Sequence, residues 1–262
     1  MIVTSMSAKE IYDNLAADFR KIEYQEAYYK KKAIKELKKA KTYPAWQIYE
    51  YRTVESNNNY IIYFYAESRR EADLPKCDTF CKVWEKKNLY YIKQTVSLYT
   101  PFDGGDSTYI RHIHIYTNHF LQRYNERFIK TNFKNQTLSR NEIATIFFSR
   151  NDYTHIPIQL NNEINRNYEK YGEYGKFAYK VRDGICFTSS VDELTEHSDS
   201  KINDNEVEAA LTIYTTFMNE SEMSIEQRKA ILKEHLTQFS NYKTALKQQA
   251  DEDGYVTISI NP

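Results

Sequence analysis

The residues best suited to chemistry lie in the stretch YTNHFLQRYNERF, residues 116–128. The pattern predicts a helix that begins just after Thr117 or Asn118. Because helical residues four apart point the same way, His119, Arg123 and Arg127 would form one row of an imidazole and two guanidinium groups. The charged residues Glu126 and Lys130 would share that face, and an apolar face would lie opposite: Phe120, Leu121, Tyr124 and Phe128.

Such a row suits a phosphodiester. An imidazole acts as a general acid or base near neutral pH, and a guanidinium stabilises charge that develops on phosphate oxygens. A metal ion is not required when the nucleophile is a ribose 2′-hydroxyl. The alternative is a solvated helix face on which Arg123 or Arg127 pairs with Glu126, which is a common arrangement.

Three nearby histidines raise the question of a metal site. His112 and His114 are two apart on a predicted strand and therefore share one face, and His119 follows a few residues later. Imidazoles suit zinc and similar ions. Apart from Glu126, however, no carboxylate or cysteine lies at ligand spacing nearby. We therefore expect surface histidines and no metal.

The composition is that of a soluble globular protein: 262 residues, 41% hydrophobic and 27% charged. The 24 tyrosines indicate either a core of amphipathic rings or a surface that stacks bases. Three cysteines give no disulfide framework, and neither a signal peptide nor a membrane span is recognisable, so we expect a cytoplasmic protein. Six glycines leave no phosphate-binding loop, and no cofactor is expected.

The charge is unevenly distributed although the net charge is zero. Residues 20–43 carry nine Lys or Arg against three Glu, whereas residues 191–208 carry seven acidic residues against one Lys. The basic segment predicts a helix that binds a nucleic-acid backbone, with a solvated charged face as the alternative. Its candidate contacts are Lys30, Lys31, Lys32, Lys35, Lys38 and Lys39.

The periodicity predicts an α+β fold with a mostly antiparallel sheet, an N-terminal basic helix, a central His/Arg helix and a long C-terminal amphipathic helix. The predicted helices are 7–42 and 137–150, capped by Ser7 with Glu10 and by Ser139 with Glu142, the central helix 117–131, and 224–249 with a buried stripe of Leu232, Leu236, Phe239 and Leu246. The predicted strands are 46–54, 59–67, 88–100, 108–117, 208–218 and 255–260, with a hairpin over 176–190 that turns at Asp183-Gly184. The predicted regions are 1–105, a helix and β-meander, and 106–262, a catalytic or binding unit.

The order NHFLQRYNERF, LSRNEIATIFF, FAYKVRDGICFTSS and LTIYTTF resembles the BECR superfamily, the barnase–EndoU–colicin–RelE-type ribonucleases. The resemblance covers about residues 115–220 and is closest to toxins whose helix opens with a histidine followed by arginines. It implies that His119, Arg123 and Arg127 are the catalytic helix residues and that Thr215 or Thr216 is the hydroxyl of the last strand. Phe120 departs from the small residue that the family prefers.

The resemblance implies an RNA-cleaving or RNA-binding protein of toxin or defence type, with RNA and an immunity protein, antitoxin or host target as partners. An alternative of another class is a non-enzymatic phage or mobile-element protein that binds a protein partner through a tyrosine-rich sheet. The segment FTSSVDELTE also shows a partial likeness to the Ser-Thr-Ser element of ADP-ribosyltransferases. Its Glu193 and Glu196 lie in an acidic, loop-like run instead of on a late strand.

Overall fold

The computed structural model describes residues 1–3, 5–99, 108–133, 137–151, 156–159, 177–191 and 209–226, and scattered positions from 228 to 240. Its helices are α1 (Ala8–Lys38), α2 (Asn118–Tyr124), α3 (Lys130–Asn132) and α4 (Arg140–Asn151), with a π-helical segment at Asn125–Ile129 between α2 and α3 and short 3₁₀ turns at Glu71–Asp73 and Glu220–Glu222. Its strands are β1 (Ala45–Arg52), β2 (Asn59–Ala66), β3 (Lys76–Glu85), β4 (Asn88–Tyr99), β5 (Thr108–Thr117), β6 (Ile156–Gln159), β7 (Phe177–Val181), β8 (Gly184–Val191) and β9 (Ala209–Met218).

The strands form one sheet in the order β1-β2-β3-β4-β5-β9-β8-β7-β6. All neighbouring strands are antiparallel except β5 and β9, which run parallel. The predicted α+β class with a mostly antiparallel sheet is therefore confirmed. Because β4 pairs with β5 along its length, the sheet continues through both predicted regions, 1–105 and 106–262. That division stays a prediction about folding units.

Two cores lie on the two faces of the sheet. The long α1 covers one face, over the even-numbered side chains of β2, such as Ile62 and Phe64. The helices α2 and α4 cover the other face, over Ile61, Tyr63 and Tyr65. Successive side chains of a strand point to opposite faces, so β2 is buried on both sides and reads as a continuous apolar run.

The tyrosines of the sheet explain much of the aromatic content. Five tyrosines are among the largest fully buried side chains of the described residues: Tyr63, Tyr91, Tyr116, Tyr124 and Tyr214. The rings of Tyr116 and Tyr214 stack across the parallel β5–β9 pair, with centroids 4.1 Å apart. These rings therefore form the core beneath α2 and α4 and offer no surface for stacking bases.

The helix α1 is held by a capping box that the sequence predicts and by a buried carboxylate that it does not predict. The predicted capping box is present, since the Glu10 amide donates to Ser7 Oγ and the Ser7 amide donates to Glu10 Oε2. In addition, the buried carboxylate of Asp18 accepts hydrogen bonds from the turn between β1 and β2. Its donors include Asn58 Nδ2 at 2.9 Å and Tyr60 Oη at 2.9 Å.

A second buried carboxylate, that of Asp183, joins α2, α4 and the hairpin of β7 and β8. Arg150 donates to it through Nε at 2.9 Å and Nη2 at 2.7 Å, which is a bidentate ion pair. Tyr124 Oη donates at 2.7 Å and Asn151 Nδ2 at 3.0 Å. The side chain of Asp183 is 1% exposed, so this charge depends entirely on its protein partners.

The hairpin itself turns one residue earlier than predicted. Val181 pairs with Gly184, so the two-residue turn is Arg182 and Asp183, and Gly184 is the first residue of β8. Close packing explains the glycine, because a Cβ atom there would lie 2.3 Å from the Met218 carbonyl oxygen.

The predicted capping box of α4 is confirmed, with the Ser139 amide donating to Glu142 Oε2 at 2.7 Å.

Two strands were not predicted: β3, which lies between β2 and β4, and β6, which lies at the edge of the sheet beside β7. The predicted buried stripe of the C-terminal helix was wrong where its side chains are described. In the C-terminal region Leu232 and Leu236 are each 58% exposed, and Ile231 is buried in their place. Phe239, Leu246 and the predicted strand 255–260 lie outside the residues whose side chains are described. No helix among the described residues is long and apolar enough to cross a membrane.

We expect Asp183→Asn to lower the free energy of unfolding by roughly 3 kcal/mol, because it leaves the Arg150 guanidinium half-buried without a counter-charge. Asp73→Asn is the matched control, since the Asp73–Lys38 pair is exposed and its loss should cost less than about 0.5 kcal/mol. Urea unfolding of the two variants measures the difference. Equal effects of the two substitutions would contradict the role given to Asp183.

Asp18 makes the stability depend on pH. Burial raises the pKa of its carboxyl, but hydrogen bonds from Ser56, Asn58 and Tyr60 outweigh burial, and the pKa lies below the ordinary 3.8. A depressed folded-state pKa gives stability that is present above the unfolded pKa and is lost as pH falls through the folded one.

We therefore expect wild type and Asp18→Asn to differ most in urea unfolding near pH 7, and the difference to shrink below about pH 4. A difference that stays constant down to about pH 2 would show that the Asp18 charge contributes nothing.

Candidate active site on helix α2 and strand β9

The helix α2 begins where strand β5 ends, as predicted. Thr117 is its N-cap, with Oγ1 accepting a hydrogen bond from the Phe120 amide at 3.1 Å. The same hydroxyl donates to the Tyr214 carbonyl of β9 at 3.0 Å. One side chain thus ends the strand, starts the helix and places that helix above β9.

The predicted apolar face of the helix is confirmed. Phe120, Leu121, Tyr124 and Phe128 are all buried in the core that α2 and α4 share. His119 is exposed, one residue outside that face. The helical spacing therefore leaves a ridge of polar side chains at the surface, in which His119 is exposed and Glu126 is half-buried.

The two arginines of the row have different surroundings. Arg123 is 39% exposed in its side chain, and its Nη1 lies 3.0 Å from Glu126 Oε2. Arg127 is 14% exposed, donates through Nη1 to the Phe217 carbonyl at 2.6 Å and lies 3.3 Å through Nε from Glu222. Arg127 thus fastens the helix to the end of β9, whereas Arg123 has, within the described part of the chain, only its ion pair with Glu126 to exchange for a ligand.

The helix widens into its π-helical segment at the level of Arg127. Asn219, just past β9, donates from Nδ2 to the Arg127 carbonyl at 3.1 Å. Single π-helical turns occur frequently at functional sites because they change the direction of side chains on one face. Here the segment follows Arg123 and carries Glu126 and Arg127.

Strand β9 has a β-bulge at the predicted threonines. Phe187 pairs with Thr216 and Thr188 pairs with Tyr214, so Thr215 is the extra residue. Thr215 Oγ1 donates to the Phe187 carbonyl at 3.0 Å, within the sheet. Because the bulge shifts the alternation, both Tyr214 and Phe217 pack beneath α2, and Thr216 is directed to the other face of the sheet.

The structure therefore brings His119, Arg123 and Arg127 together but leaves both threonine hydroxyls out of their row. The bulge nevertheless affects how α2 is anchored to β9. It lies between the Tyr214 carbonyl, which binds Thr117, and the Phe217 carbonyl, which binds Arg127. Its effect is to place two anchoring carbonyl groups under the two ends of the row formed by His119, Arg123 and Arg127.

The environment of His119 disfavours its charged form. Partial burial lowers the pKa of the imidazole below the ordinary 6.5, and the guanidinium groups of Arg123 and Arg127 lower it further, against the opposing effect of Glu126. At neutral pH the ring is therefore a neutral proton acceptor beside cationic groups. That combination suits a general base acting next to a phosphate.

The other two histidines do not join it. His112 and His114 do share a face, with ring centroids 5.9 Å apart. The expectation of surface histidines is wrong for His114, which is buried, with Thr95 Oγ1 2.9 Å from Nε2 and Tyr214 Oη 3.2 Å from Nδ1. Among the described residues, no three His, Cys, Asp or Glu side chains are grouped to hold a metal ion.

The predicted lysines lie elsewhere. All six are exposed, on α1 or at its C-cap, on the face of the sheet opposite α2: Lys30, Lys31, Lys32, Lys35, Lys38 and Lys39. Lys38 pairs with Asp73, Lys39 pairs with Glu36, and Lys32 lies 5.6 Å from the ring centre of Tyr49. The basic helix is therefore a separate surface and does not extend the row of His119.

Sequence reasoning missed a second flank of α2. Asn118, Gln122 and Asn125 line a cleft of about 250 Å³ against the start of α4. Their spacing of four and three residues is helical and was available as a signal.

We expect His119 to titrate below the ordinary 6.5 in NMR spectra of its ring protons, and Arg123→Ala to raise that pKa, because a neighbouring cation is lost and Glu126 is released. Arg70→Ala, at an exposed turn far along the chain, is the control and should leave the titration unchanged. An unchanged His119 pKa in Arg123→Ala would show that Arg123 does not act electrostatically on the imidazole.

The sequence matches no family model, and no curated protein and no solved structure matches it.

Proposed function

We propose that this protein binds RNA and cleaves it by metal-independent phosphodiester chemistry on the exposed ridge of α2, as a toxin or defence ribonuclease of BECR type would. One observation carries the proposal: His119 is exposed and shares its helix face with the guanidinium of Arg123. Partial burial and the nearby guanidinium groups lower the pKa of its ring, which supports a role as proton acceptor. A proton acceptor beside an exchangeable cation is the minimum that 2′-hydroxyl attack requires.

In the proposed reaction His119 takes the proton of the ribose 2′-hydroxyl. The 2′-oxygen forms a bond to the adjacent phosphorus, the bond from phosphorus to the 5′-oxygen breaks, and that oxygen leaves with a proton from water. Arg123 exchanges Glu126 for a phosphate oxygen and stabilises the added charge. Arg127 positions the helix through Phe217 and adds a more distant positive charge.

The exchange at Arg123 sets a condition on the substrate. The Arg123–Glu126 pair is near the surface, where such pairs contribute little stability, so a phosphate dianion or diester can compete for the guanidinium. Glu126 would then remain beside His119 and favour its protonated form after proton transfer. The Glu126 carboxylate thus pairs with Arg123 before the phosphate binds and stabilises protonated His119 after proton transfer.

The alternative of a protein partner bound through a tyrosine-rich sheet has less support, because the sheet buries Tyr63, Tyr91, Tyr116 and Tyr214. The most exposed tyrosines described are Tyr24 and Tyr28, and they lie on α1 beside the lysines. An immunity protein, an antitoxin or a host target is the partner class that a toxin would require.

We expect purified wild type to cleave total RNA in EDTA, and His119→Ala to reduce the rate by at least about 100-fold, which is the usual contribution of a general base. Arg123→Ala should also slow cleavage, whereas the surface control Arg70→Ala should not. Thermal unfolding of each variant establishes that it is folded. Cleavage by His119→Ala at the wild-type rate would contradict the proposal that the reaction takes place on α2.

A further inference from the structure

The cleft on the second flank of α2 is built from a set of side chains that suits a nucleobase. Its walls are the amides of Asn118, Gln122 and Asn125, and its floor is apolar, from the buried side chains of Leu121 and Ile143. Its volume of about 250 Å³ accommodates a single base ring system. Amides pair with the edges of bases, and apolar side chains contact their faces.

Two of the amides are available for a ligand. The side chains of Asn118 and Asn125 are half-buried, and neither hydrogen-bonds to any described residue. Gln122 Nε2 makes a 3.3 Å contact with Glu126 Oε1. Partly buried amides without partners gain more from a ligand than solvated ones do, since part of their desolvation cost is already incurred.

Arg140 extends the cleft to an exposed aromatic ring. Its guanidinium lines the cleft and lies 5.8 Å from the ring centre of Trp84 on β3. Trp84 is 54% exposed, which is unusual for so large an apolar side chain in a folded protein. An exposed tryptophan under a planar cation is a surface on which an unpaired base stacks, and Arg140 can reach the adjoining phosphate.

The cleft and the catalytic row share one side chain. Glu126 accepts from Gln122 on the cleft side and from Arg123 on the catalytic side. Asn118 and His119 are also consecutive residues on the helix. A base held by the amides would therefore place the phosphodiester of the same strand beside His119.

We infer that the cleft between α2 and α4, together with Trp84 and Arg140, binds and discriminates the bases of single-stranded RNA. The inference rests on the proposed function for its substrate class and adds a site of base selection to it. Duplex RNA is excluded, because paired bases expose no free edge or face that the cleft could enclose.

The test uses the full-length His119→Ala protein, so that RNA is bound and not cleaved. Fluorescence anisotropy gives the Kd for four labelled octamers, U8 and the same strand with a single central A, C or G. We expect the Kd values to differ at least about fivefold among central bases, as amide contacts to base edges provide. Asn125→Ala and Gln122→Ala should each reduce that difference, and Trp84→Ala should weaken all four octamers by about tenfold.

Leu74→Ala is the matched control for Trp84→Ala, because Leu74 is an exposed apolar residue outside the cleft. Equal Kd values for all four octamers, or full discrimination retained by both amide variants, would overturn the inference.

A separate assay keeps the two proposals apart. Discriminating binding by His119→Ala with no cleavage by wild type would support the cleft and refute the ribonuclease. Cleavage by wild type with no discrimination in binding would support the ribonuclease and refute base selection by the cleft.

Discussion

The buried carboxylate of Asp183 is the constraint on which the candidate site depends. It accepts two hydrogen bonds from the Arg150 guanidinium of α4 and one from the Tyr124 hydroxyl of α2. It therefore fixes both helices to one hairpin turn. Tyr124 lies on the buried side of α2, and its hydrogen bond sets the rotation of the helix about its own axis. That rotation determines which residues reach solvent, and so puts His119 on the ridge.

The contacts to β9 fix the same helix along its length. Thr117 binds the Tyr214 carbonyl and Arg127 binds the Phe217 carbonyl, one near each end of the helical segment. Gly184 allows β8 to pack closely against β9, because a Cβ atom there would collide with Met218 and Phe217. Position and rotation are thus set by separate interactions, and His119 needs both.

What the sequence predicted well is local. The capping boxes of α1 and α4, the start of α2 and its division into apolar and charged faces all depend on residues within one or two turns of each other. Non-local features escaped prediction. The place of β9 beside β5, the bulge at Thr215 and the burial of Ile231 in place of Leu232 depend on which strands meet, and no short pattern contains that information.

The zero net charge bears on the proposal that this protein binds RNA. Without a field over the whole molecule, long-range attraction adds little, and affinity must come from contacts made at close range. In that proposal the half-buried Arg123 would supply one phosphate contact, and its partner Glu126 offsets much of its charge until a ligand displaces it. Base contacts must then provide most of the binding energy. A stacking ring at Trp84 and unpaired amides on α2 meet that requirement, and lysines on the far face of the sheet do not.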